Sequence, residues 1–169
     1  MKKNTEMKSI VVIGCSRFGA TVACSNCRLG YYSSIIDINP KAFRKLDSDY
    51  SGYIIEGNAM DPDILAQSNI ENATEVDIVT NDDNTNIYLA SMVLAYYKAP
   101  LIIVRLQDEK KAELLGDSRI KIISPALLSI NSYYNLVNNN NDVNKLVDEK
   151  DIMKIKVESN KKGQSKWIY

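Results

Sequence analysis

The turn Gly14-Cys15-Ser16-Arg17-Phe18-Gly19 follows directly on the apolar run Ser9-Ile10-Val11-Val12-Ile13 and opens a segment of helical period. Strand, glycine turn, then helix is the context a pyrophosphate cradle requires. Gly14 permits the tight turn, and Gly19 lets the helix pack close to the strand. The first-turn N–H groups and the positive dipole end of the helix then face the phosphates. Ser16 stands where the fingerprint has its middle glycine, and its hydroxyl either contacts a phosphate or narrows the pocket. The competing reading is a plain strand-to-helix turn. Asp37 ends the next apolar run, about twenty residues further on. An acid there accepts hydrogen bonds from the ribose diol of NAD and repels the 2′-phosphate of NADP. Its other reading is a helix cap.

More polar groups stand at the carboxyl ends of the later apolar runs, where open α/β sheets bind ligands. They are Asn58 and Asp61 after the third, Asn81-Asp82-Asp83-Asn84 after the fourth and Arg105 after the fifth. Asp61 also suits a helix N-cap. Asp82 and Asp83 suit a solvated loop or a cap, and two adjacent carboxylates without further ligands make a poor metal site. Arg105 follows four apolar residues, so its stem is expected to be buried and its guanidinium to meet an anion, either a phosphate or an acidic neighbour. The chain contains no His, which removes the commonest general base and the usual proton relay of dehydrogenases. Three cysteines argue against a disulfide framework. Cys24 and Cys27 fall well inside the first helix instead of at its start, so they are expected to pack and not to react.

The elements that position these groups follow from the patterning. Apolar runs over 9–14, 33–37, 52–57, 76–80, 101–104 and 120–124 read as strands, the first of them too continuously apolar to have a wet face. Helical segments alternate with them over 17–28, 41–46, from Asp61-Pro62 onward, 85–98, 108–115 and 125–137. On the fourth of these, Ile87, Ala90, Ser91 and Leu94 are expected to share the inward face. Alternation of this kind predicts an α/β fold, a Rossmann-like doubly wound parallel sheet of about six strands in the order 3-2-1-4-5-6. Residues 138–150 read as a polar linker. The alternation of Ile152, Lys154, Ile155, Lys156 and Val157 reads as an extra strand within a short C-terminal extension, 151–169.

The chain has 169 residues, 45% apolar and 25% charged, enough for one domain with a real core. Lys and Arg number 21, as do Asp and Glu, so no basic surplus points to nucleic acid. No apolar stretch is long enough to span a bilayer and none follows the polar N-terminus as a signal would, so a cytoplasmic location without direct membrane insertion is expected.

Taken in order, Gly14–Gly19, Ile36-Asp37-Ile38-Asn39, Gly57-Asn58-Ala59-Met60-Asp61, residues 80–86 from Thr80 to Asn86, Val104-Arg105 and Ile123-Ser124-Pro125 resemble the TrkA-type RCK (KTN) N-terminal domain. The resemblance covers about residues 8–135. It implies a cytoplasmic regulatory subunit of a bacterial potassium uptake system, assembled as dimers and then rings on a membrane potassium translocator. It further implies that NAD(H), or ATP, ADP or AMP in some branches, binds the turn and shifts the conformation of the assembly. By the same resemblance Gly14, Cys15, Ser16, Arg17, Phe18 and Gly19 would face the phosphates and Asp37 the ribose. Asn58, Ala59 and Asp61 would lie near the adenosine, Asn81 and Asp82 would line the far side, and Arg105 would reach in from the fifth strand. Helix 125–137 resembles the crossover helix that joins subunits. Ser16 and Asn58 depart from the family's usual Gly and Asp, and Asn26 interrupts an apolar position. Family members commonly continue into a C-terminal ligand-binding domain, of which 151–169 looks like the first strand. On this reading the protein is not an enzyme. The alternatives are a small NAD-dependent oxidoreductase, which the fold alone permits, and a degenerate copy serving only as a dimer partner.

Overall fold

The computed structural model describes residues 7–138. Six strands form one parallel sheet: β1 (Ser9–Ile13), β2 (Tyr32–Asp37), β3 (Tyr53–Glu56), β4 (Glu75–Ile78), β5 (Ile102–Arg105) and β6 (Ile120–Ile123). Their order is β3-β2-β1-β4-β5-β6, the doubly wound arrangement that the alternation predicts. The connections carry three α-helices, α1 (Arg17–Arg28), α2 (Pro62–Gln67) and α3 (Asp83–Tyr96), and α4 (Pro125–Asn138) follows the last strand. The expected strand within 151–158 and most of the linker lie outside the described residues.

Strand β1 is apolar on both sides because both faces are covered. Val11 and Ile13 join Ile36, Val76, Ile78 and Val104 in a core beneath α2 and α3. Ile10 and Val12 point the other way, to Ile35, Val79 and the Ala20 and Ala23 side of α1. In register, Ile13 stands beside Ile36 on one flank and Ile78 on the other. The chain reverses direction across the sheet between β1 and β4. A crevice opens at their carboxyl ends, as it does wherever strand order switches in such sheets.

Three local expectations are corrected. The segments expected as helices over 41–46 and 108–115 wind as 3₁₀ turns, Pro40–Lys45 and Glu109–Leu114. Each is six residues long and closed by tight bonds such as Ala42 N–H to the Asn39 carbonyl at 2.8 Å. Helix α3 starts at Asp83, two residues early, because the Asp82 carboxylate accepts from the Thr85 amide at 2.7 Å and caps it. The inward face of α3 is Asn86, Leu89, Ala90, Met92 and Val93, while Ser91 is exposed and Ile87 and Leu94 are half-buried. Cys24 is buried and Cys27 half-buried, both as free thiols. Among the described residues, no helix is long and apolar enough to cross a membrane.

Candidate nucleotide site

The glycine turn is fixed by backbone geometry. Gly14 has φ +104°, in the left-handed region, and a Cβ there would stand 2.9 Å from the Thr80 backbone. A Cβ on Gly19 would collide with the Gly14 carbonyl oxygen. Both positions therefore exclude a side chain, and the turn can press against the end of β4. Ser16 caps α1, its hydroxyl oxygen accepting from the Gly19 amide at 3.3 Å. The amides of Arg17 and Phe18, in the first turn, have no intrahelical acceptor by geometry and are open to an anion.

Asp37 ends β2 beside this turn. One carboxylate oxygen accepts from the Cys15 amide at 2.7 Å and the other from the Asn39 amide at 2.8 Å. The acid thus anchors the glycine turn to the second strand instead of capping a helix. A carboxylate has about four acceptor positions, so capacity for a diol remains. Lys45, closing the 3₁₀ turn, donates to the carbonyls of Cys15 at 3.2 Å and Ala42 at 3.4 Å. The Cys15 thiol is buried, and burial, reinforced by the nearby Asp37 charge, pushes it up to about 11. It stays a neutral thiol at physiological pH and is a poor nucleophile.

The far wall comes from β4 and β5. Arg105 donates from Nη1 to the Asn81 side-chain oxygen at 2.8 Å and to the Thr80 carbonyl at 3.4 Å. Its Nε is buried without a protein partner. The Arg105 cation thus meets neutral oxygens here and not an acid, and three of its five N–H donors, the buried Nε among them, make no bond to the protein. Asn86 of α3, 1% exposed, donates to the Arg105 carbonyl at 2.8 Å and accepts from the Thr80 amide at 3.2 Å. It ties the ends of the two strands together behind the wall.

These walls enclose a cleft of about 630 Å³, lined by Cys15, Ser16, Arg17, Phe18, Asp37, Asn39, Ala42, Lys45, Asn81 and Arg105. Gly14 and Gly19 shape the turn that carries four of these residues but are not among the lining residues themselves. Four further residues expected at the site do not line it either. Asn58 is exposed and its oxygen accepts from the Met60 amide, and Ala59 is buried in the core. Asp61 caps α2 through the Asp63 amide, and Asp82 caps α3. Their polar atoms are committed to local turns, the alternative that the sequence left open for both acids. Asn39, Ala42 and Lys45 were missed. Asn39 closes the Ile36–Asn39 motif, which assigns it no role of its own, and Ala42 and Lys45 sit on the following turn, which carries no motif. A smaller cavity of about 240 Å³ lies at the opposite, amino-terminal end of β2 and β3, lined by Cys27, Tyr31, Ser33 and Tyr53 among others and by no charged group.

The strand order, the glycine turn and the acid at the end of β2 together define a dinucleotide-type Rossmann domain. Residues 10–125 match the TrkA-N domain family model, and the chain belongs to that family. It is 34% identical over 110 residues to the Trk system potassium uptake protein TrkA homolog of Pyrococcus horikoshii, covering 64% of this chain and 47% of that protein. It is 31% identical over 105 residues to the Trk system potassium uptake protein TrkA of Streptomyces coelicolor, covering 62% and 47%. The chain therefore spans about half the length of these relatives. Among solved structures it resembles GsuK bound to ADP, with TM-score 0.64 and 25% identity over 80% of this chain and 35% of that one. The GsuK channel bound to NAD shares the fold, with TM-score 0.60 and 17% identity over 77% and 23%.

Proposed function

We propose that this chain is the nucleotide-binding part of a cytoplasmic regulatory subunit of a potassium uptake system. The carrying observation is the joint between Asp37 and the glycine turn. One amide, that of Cys15, holds the ribose-type acid against the phosphate-type cradle, at the switch point of a TrkA-N domain. NAD(H) is the favoured ligand, with ADP, ATP or AMP as alternatives. The solved structures bound to NAD and to ADP support this choice. Pyrophosphate would lie on the Gly14–Gly19 turn beside Arg17 and Phe18, ribose on Asp37, and the distal half against Asn81 and Arg105.

The nucleotide is a signal on this reading, not a reactant. No His is available in the sequence to move a proton, and the Cys15 thiol is held neutral. A nucleotide that binds one conformation of the assembly better than another shifts the population, and the shift biases a membrane potassium translocator on its cytoplasmic side. Self-association would use α4, which presents Ile130, Tyr133 and Leu136 to solvent. Exposed apolar groups of this size on one helix are the usual mark of an interface.

Calorimetric titration with NADH, ADP and AMP tests the reading, alongside the mass in solution by sedimentation. Saturable binding by at least a dimer, with the reduced-nicotinamide absorbance flat in the presence of small alcohols and acids, is the expected result. Steady turnover with any such substrate points to an oxidoreductase instead.

A further inference from the structure

Lys45 occupies an unusual place relative to Asp37. The Cys15 peptide carries the acid on its N–H, at 2.7 Å, and the ammonium on its carbonyl, at 3.2 Å. Lys45 forms no ion pair with Asp37 or any other acid among the described residues. Its other bond, to the Ala42 carbonyl, is also to a neutral acceptor. An ammonium has three donors, so one N–H and the whole positive charge remain uncommitted. Asp37, by contrast, already accepts two main-chain bonds, which disperse part of its negative charge. Between the two residues on the turn, the lining side chains are Asn39 and the methyl group of Ala42, neither of them charged.

We propose that Lys45 determines specificity at the ribose end of the cleft, offsetting Asp37 so that the site accepts a 2′-phosphorylated adenine dinucleotide as well as the unphosphorylated one. This rests on the nucleotide reading of the cleft. An acid at the end of the second strand alone disfavours a 2′-phosphate, and a neighbouring cation is what accommodates one. A phosphate monoester brings up to two negative charges and gains far more from an adjacent ammonium than a neutral hydroxyl does. Lys45 is solvent-exposed, so its effect is screened and depends on salt.

The test is fluorescence titration of the full chain with NADH and NADPH at low and at physiological salt. It is run on the parent, Lys45→Gln and Lys45→Arg. Gln keeps a donor for the Cys15 carbonyl and removes the charge, whereas Arg keeps the charge. The parent is expected to bind NADPH within about tenfold of NADH, and Lys45→Gln to weaken NADPH about tenfold more than NADH. Lys45→Arg should restore the parental ratio, and higher salt should narrow the difference between parent and Lys45→Gln. Equal weakening of both nucleotides would make Lys45 a structural pin and overturn the proposal. So would a parent that binds NADH with no detectable NADPH binding. In both cases the nucleotide reading survives. A parent that binds neither nucleotide, nor ADP or AMP, overturns the reading and this proposal together.

Discussion

Asn86 donates to the main-chain carbonyl of Arg105 at 2.8 Å from a side chain that is 1% exposed. A helix residue thereby sets the backbone position of a cleft residue on the neighbouring strand. The same side chain serves Thr80 at the end of β4. Asn86→Leu keeps the branched skeleton but strands the Thr80 amide and the Arg105 carbonyl. Each buried group left unpaired costs about 1–3 kcal/mol, so chemical denaturation should show a loss of that order or more. Nucleotide affinity should fall as well, because Arg105 loses its support.

Asp37→Ala removes the acceptor for the ribose diol. Affinity for NADH and ATP should drop roughly ten- to a hundredfold, equivalent to about 1.4–2.8 kcal/mol. NADPH should change less, because a repulsion leaves with the attraction. The Cys15 and Asn39 amides also lose their partner, so a small fall in melting temperature should accompany the binding defect. Unchanged titrations with all three nucleotides would remove Asp37 from the site.

Gly19→Ala places a methyl group against the Gly14 carbonyl oxygen, where nothing flexible can yield. The turn and α1 must separate, at a cost of about 1–3 kcal/mol typical of overpacking. Binding should fall further than stability does. A circular dichroism melt beside a titration separates the two effects.

Asp77 supplies a pH signature. It is 3% exposed on the central strand β4, with one oxygen unpartnered. Burial, assisted by the Glu75 charge and opposed by Lys8, pushes its carboxyl up to about 8 from 3.8. The folded chain therefore keeps a proton that the unfolded chain gives up. This group destabilises the fold progressively as pH rises from about 4 to about 8, with no further loss above that. Urea midpoints for the parent and Asp77→Asn should agree near pH 4 and diverge by pH 8, the variant being more stable. Parallel curves across that range would show that Asp77 is ionised in the fold.

The strands were legible because their apolar runs are short and bounded by Gly, Pro and Asp. The order followed from alternation with helices. Asp61-Pro62 marked the start of α2 because a cap followed by a proline admits few other structures. The glycine turn and Asp37 were legible as a pair from their spacing. The inward face of α3 was not, since residues 86–94 are apolar nearly all round and no stripe stands out. Lys45 was missed because one lysine on a polar turn looks like any solvated charge, and only the fold brings it to the Cys15 carbonyl. Asp77 gave no warning either, because a lone acid within a strand pattern does not reveal which face it takes.

The switch from β1 to β4 also bears on how the protein acquires its shape. Ser9 and Thr74, bonded to each other at the base of these strands, are 65 residues apart in the chain. Every strand pair in the sheet is parallel, so none can form as a local hairpin. Chains dominated by such distant pairings fold slowly. The cleft has one wall from the segment before this crossover and one from the segment after it, so it cannot exist until β1 has found β4. A nucleotide consequently recognises only the finished sheet. At a hundredfold excess over its dissociation constant it would add about 2.7 kcal/mol to the stability of the whole domain. For a TrkA-N domain, nucleotide supply during synthesis and its half-life in the cell would then be linked quantities.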